Sequence, residues 1–186
     1  MKILPIAFLA FGAFALAGAA HAQLSVIGNS EAAQCYRHAL NGNTGSNSAL
    51  KICAAAFDTR LTRRDQAATY VNRGILYMRK DEYMKAARDY EAALAINPDL
   101  TEAHVNYAAS LIRQEKYDAA FLSIEKALTD PKSEIRPEAL FNRAVILDYR
   151  ENYRGAYRDL KAALAIRPDW APAIQRLERY EVRPAG

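Results

Sequence analysis

"YMKAARDYEAALAINPDL", residues Tyr83–Leu100, and "YRGAYRDLKAALAIRPDW", residues Tyr153–Trp170, are nearly one text written twice in the same chain. In both, alanines and large apolar residues recur at helical spacing until an Asn-Pro-Asp or Arg-Pro-Asp triplet ends the pattern, so each reads as an amphipathic helix stopped by proline. Aligning the two through Pro98 and Pro168 exposes a third, weaker copy, "YDAAFLSIEKALTD", beginning at Tyr117. The three starts lie 34 and 36 residues apart. A period of that size marks an array of helix-turn-helix units. No single unit can bury its apolar face alone, so neighbours must stack to make a core.

The residues at fixed slots resemble the tetratricopeptide repeat. With Ala67 as the first position of one repeat, Tyr70, Gly74, Tyr77, Ala86, Tyr90, Ala93 and Pro98 fall where that family places its aromatic, small and proline residues. Thr101 opens the next repeat, with Ala108, Leu111, Ala120, Ile124 and Ala127 in the matching slots; Pro137 opens a third, with Ala144, Leu147, Ala156, Leu160, Ala163 and Pro168. The two extra residues of the longer spacing sit in the Asp130–Ser133 turn. Small residues suit these slots because helices approach to about 8–10 Å only where Gly or Ala lines the crossing. The resemblance implies an all-α fold, a right-handed α-solenoid of antiparallel helix pairs, with repeats at 67–100, 101–136 and 137–170. Upstream, residues 23–66 read as a short leader and a diverged helical hairpin, with Leu40, Ala49, Cys53 and Ala56 in repeat slots. Downstream, residues 171–182 read as a capping helix closing an array of 67–182, and 183–186 as a tail.

The first 22 residues are set apart from the fold. Lys2, an apolar run from Ile3 to Ala17 and the Ala20-His21-Ala22 ending have the form of a secretory signal peptide. About 15 apolar residues fall short of the roughly 20 that cross a bilayer as a helix. Cleavage after Ala22 would make Gln23 the first residue of a periplasmic protein with no membrane span, and residues 1–22 are expected as an apolar helix that packs on nothing important. Losing Lys2 leaves 24 basic against 21 acidic residues, a charge of +3. So mild and dispersed an excess, in an exported chain, argues against nucleic acid as a partner. Export also bears on the two cysteines. Cys35 and Cys53 flank the first hairpin symmetrically, and a disulfide between them would staple its least regular repeat.

Arg73 and Arg143 invite a ligand-binding reading, yet Asp89 and Asp159 stand sixteen residues after them, while the middle repeat has Tyr107 and Ser123 at that spacing. Charge meets charge or neither is charged. In an antiparallel hairpin such positions face one another, so Arg73 with Asp89 and Arg143 with Asp159 read as structural ion pairs. No constellation for catalysis stands out. The mature chain holds only His38 and His104, far apart, with no zinc-protease motif, phosphate loop or nucleophile elbow. His104 occupies a slot filled elsewhere by Tyr70 and Leu140, a packing position. No enzyme, cofactor or metal is expected.

In the family the first helix of each pair lines a concave groove. That resemblance implies groove positions at Asn72, Asn106 and Asn142, with apolar rows of Val71, Val105 and Phe141 and of Ile75, Ala109 and Val145 beside them, and Arg79 and Arg113 at the edge. A row of Asn suits an extended peptide, because an amide both donates and accepts. The family's two-carboxylate clamp is not implied, since Val71, Ile75 and Glu102 stand where it needs basic residues and Asn. The expected function is a non-catalytic scaffold holding a segment of another envelope protein. The alternative is a structural subunit of an envelope assembly or homo-oligomer that uses its convex face or N-terminal hairpin.

Overall fold

The computed structural model describes residues 2–5, 24–25, 30–41, 46–131 and 133–183. They belong to two compact units, residues 20–129 and residues 1–19 with 130–186. In the first unit, α1 (Glu31–Leu40) pairs with α2 (Asn47–Ala56), α3 (Arg63–Met78) with α4 (Tyr83–Ile96), and α5 (Thr101–Arg113) with α6 (Tyr117–Ala127). These hairpins stack through contacts of α1 with α3, α4 with α5 and α3 with α5, so the architecture is an all-α, solenoid-type pile of helix pairs.

Local chemistry sets the helix ends. The side chains of Ser30, Ser46 and Thr62 accept the backbone N–H three residues on and so cap α1, α2 and α3. After the first helix of each repeat the chain turns through a left-handed residue: Asp81, Glu115 and Glu151 have φ of 58°, 60° and 58°. At all three turns the following N–H bonds back to a carbonyl five residues earlier, Glu82 to Tyr77, Lys116 to Leu111 and Asn152 to Leu147. This satisfies carbonyls that the helix end would leave orphaned. Each second helix then starts on the repeated tyrosine. α4 and the second helix that ends at Ile166 stop before a proline, with Asn97 and Arg167 at φ of −134° and −129°, the extended shape a following proline imposes.

Packing depends on the small slots. Ala86, Ala93, Ala108, Ala120, Ala144, Ala156 and Ala163 are all fully buried. Gly74 marks a close crossing, since a Cβ there would come within 2.5 Å of Tyr90 Cε1, and the Tyr90 ring is itself buried. Gly74→Ala is therefore expected to lower stability by about 1–3 kcal/mol through overpacking. Urea unfolding checks this, and an unchanged midpoint would show that α3 and α4 can part at little cost. Leu40 departs from its expected slot. It is the last residue of α1 and is 49% exposed.

In the second unit α7 (Arg136–Tyr149) and α8 (Tyr153–Ile166) form a hairpin, and α9 (Ala171–Leu177) packs on α8. Two expectations are corrected here. The last helix ends at Leu177 instead of running to 182, and Tyr180–Arg183 is a strand, β2, paired antiparallel with β1 (Lys2–Pro5), Ile3 facing Val182. The buried Tyr180 meets the Tyr157 ring edge-on, and pairing with β1 satisfies backbone groups of the extended segment. For the same reason the expectation of a helix packing on nothing fails at residues 2–5, where Ile3 is buried and the strand contacts α8. Residues 6–22 of that expectation lie outside the described residues.

Candidate peptide-binding site

Asn72 and Asn106 sit one repeat apart on α3 and α5, the adjacent first helices of their pairs. Both are buried. Asn72 Nδ2 donates to the carbonyl of Leu24 at 3.1 Å, a residue 48 positions away. Its Oδ1 has no hydrogen-bond partner among the described residues, and neither does Asn106 Nδ2. One rung therefore carries a buried, unused acceptor and the next a buried, unused donor. Leaving a buried polar atom unpaired costs about 1–3 kcal/mol. Asn142, on α7 of the second unit, is also buried.

The apolar rows are not a displayed lining. Val71 and Ile75 belong to a core cluster with Ala39, Ala67, Ala86, Tyr90 and Ala109, because α1 packs over α3. Val105, Phe141 and Val145 are buried too, and the Phe141 ring lies 5.2 Å from that of Trp170. The apolar seat in the first unit lies instead beside Asn72, in a cleft of about 350 Å³ lined by Leu24, Ala67, Ala68, Ile96, Asn97 and Leu100, with Arg63 and Arg64 also on its wall. Sequence reasoning missed it. Its one visible signal was Ala68, a small residue at the slot where the other repeats carry Glu102 and Glu138.

The edge arginines are also differently employed. Arg79 donates to the carbonyls of His38 at 3.3 Å and Ala39 at 2.6 Å, capping the end of α1, and burial lowers its pKa. Arg113 lies over the Tyr83 ring at 4.6 Å, donates to the Tyr83 hydroxyl and approaches Asp81 at 3.5 Å. Both guanidiniums hold turns together.

Arg73 grips Asp89 with two bonds, Nε to Oδ2 at 2.8 Å and Nη2 to Oδ1 at 2.7 Å, while lying 4.7 Å from the Phe57 ring centre. Burial pushes the Asp89 carboxyl upward in pKa, and the guanidinium opposes that shift. Arg143 grips Asp159 in the same bidentate way, at 2.7 and 2.9 Å. In the middle repeat a neutral set replaces the pair. His104 Nε2 donates to Pro98 O at 2.8 Å, its Nδ1 lies 3.2 Å from Ser123 Oγ, and burial lowers its pKa. Cys35 and Cys53 form a disulfide in a cluster with Ala49 and Leu76. Sequence reasoning missed two further pairs in the second unit: the buried Glu138 with Arg167, and Asp148 with Arg176 at 2.7 Å. Their partners stand 29 and 28 residues apart, outside any helical or hairpin period.

Among the described residues no three His, Cys, Asp or Glu side chains converge to hold a metal ion, and no helix is long and apolar enough to cross a membrane. No curated protein matches the chain at a significant level. Residues 67–100, the α3–α4 pair with its proline stop, match the family model of the tetratricopeptide repeat. Further helix pairs stand on either side of it in the chain, consistent with a tetratricopeptide repeat protein; that family is generally non-catalytic, and its repeats serve protein–protein interaction or scaffolding.

Proposed function

We propose that this protein is a non-catalytic, exported scaffold that holds an extended segment of another envelope protein across α3 and α5, the adjacent first helices of its first unit. The observation that carries the reading is the complementary pair of unused amide atoms, Asn72 Oδ1 and Asn106 Nδ2. An extended backbone offers an N–H to the first and a carbonyl to the second, whereas a helix has already used its own. Recognition of this kind reads backbone first and side chains second. Site-specific photo-crosslinking from α3 and α5 in cells identifies the partner segment, whose peptide is then titrated against the protein. Asn106→Ala should weaken binding by about 1–2 kcal/mol without lowering stability, because that buried amide nitrogen makes no bond among the described residues of the free protein. High salt should have little effect. Binding lost with salt or with Arg113→Ala, and kept in Asn106→Ala, would replace the amide mechanism with an electrostatic one.

Export rests on the signal-like first 22 residues, in keeping with the Cys35–Cys53 disulfide. The intact mass of the protein from a soluble periplasmic fraction should correspond to a chain beginning at Gln23, a form that lacks β1 and therefore its pairing with β2. A species retaining Met1 in washed membranes would overturn cleavage. A second reading, a subunit docked through its outer face, is favoured by Met84 on α4 and Leu122 on α6, which are 63% and 69% exposed on second helices. Crosslinks from those two positions and none from α3 or α5 would select it, with sedimentation deciding whether the partner is a second copy.

A further inference from the structure

We propose that the chain's own segment at Leu24 is a ligand of the Asn72 seat, so that a partner strand binds there in competition with it; this builds on the peptide-binding reading above. Leu24 touches the site in three ways. Its carbonyl accepts from Asn72 Nδ2 at 3.1 Å, its side chain packs against both the Val71 cluster and the cluster of Ala32, Ala33, Ala56 and Ala68, and it forms part of the wall of the cleft beside Ala67 and Leu100. A backbone carbonyl on the amide with an aliphatic side chain in the adjoining cleft is the mode of binding expected of an extended peptide. Here the peptide comes from the same chain.

The fit is incomplete, and that makes exchange feasible. Leu24 uses the donor half of the Asn72 amide, while Oδ1 stays buried without a partner among the described residues. An extended segment that brings both a carbonyl and an N–H to the amide gains a hydrogen bond that the chain's own segment does not make. Tethering works the other way, because an attached segment competes at an effective concentration in the millimolar range. The partner is therefore a strand with an aliphatic residue of leucine size, and its apparent affinity is set by how well it outcompetes Leu24.

The test uses the full chain and a labelled synthetic peptide of residues 22–29, "AQLSVIGN". Wild type should bind it weakly, Leu24→Ser at least about tenfold more tightly because the tethered competitor has lost its aliphatic anchor, and Leu24→Ser with Asn72→Ala no better than wild type. Equal binding by wild type and Leu24→Ser, or a gain that survives Asn72→Ala, would overturn the proposal. Side-chain amide NMR signals of Asn72, compared between wild type and the milder Leu24→Ala, give a reading independent of the added peptide. They should shift, and an unmoved pair would equally overturn it. The two readings fail separately. A crosslinked partner peptide bound equally by wild type and Leu24→Ser ends the competition and leaves groove binding intact. A leader peptide that binds Leu24→Ser through Asn72, in cells where α3 and α5 crosslink to nothing, upholds this proposal and ends the other.

Discussion

Arg73→Leu should lower the unfolding free energy by about 3–5 kcal/mol, the usual cost of removing one partner of a buried ion pair. The loss comes from what remains. The Asp89 side chain is only 7% exposed and would keep its charge with no guanidinium to hold it. Burial already pushes the Asp89 pKa upward, and losing Arg73 removes the opposing pull, so the folded-state value in the variant rises further above the unfolded one. The folded variant then binds more protons than the unfolded chain. Its stability is fullest below the unfolded carboxylate pKa and falls as pH rises through the folded one. Urea unfolding at acid and neutral pH should therefore show a deficit against wild type that grows with pH, and a pH-independent deficit would sink the explanation. Combining Arg73→Leu with Asp89→Leu removes both charges and should restore much of the loss. Restoration should stay short of complete because the guanidinium's contact with Phe57 is gone.

Replacing Cys35 and Cys53 by Ser should destabilise the oxidised protein by about 3 kcal/mol, the chain-entropy value for a closed loop of this size. The two residues are 18 apart and close the α1–α2 hairpin. Because both pack with Leu76 of α3, loosening the hairpin should also disturb the first face of the next repeat, where Asn72 lies. Thiol titration of unfolded, unreduced wild type should find no free thiol, and two per chain would end the claim. Reduction of wild type should lower the urea midpoint about as much as the double substitution does, since both remove the same constraint.

The periodic sequence by itself determined the helix pairs, their turns and their stops. Tyr83, Tyr117 and Tyr153 mark the starts of second helices, Pro98 and Pro168 mark their ends, and the Ala and Gly slots mark the crossings. Each of these is a local steric fact, written within one or two turns of the residue concerned. The spacing of sixteen that joins Arg73 to Asp89 and Arg143 to Asp159 was also legible, because an antiparallel hairpin converts it into a facing position. Only the tertiary structure decided which groups remain available for binding. Val71 and Ile75 are taken into the core by α1, Arg79 is spent on the end of that same helix, and the apolar seat falls between Ala67, Ala68 and Leu100. Leu24 reaches Asn72 across 48 residues, and β1 pairs with β2 from opposite ends of the chain. No period in the sequence encodes such meetings, because they depend on where separate segments arrive after the hairpins have stacked.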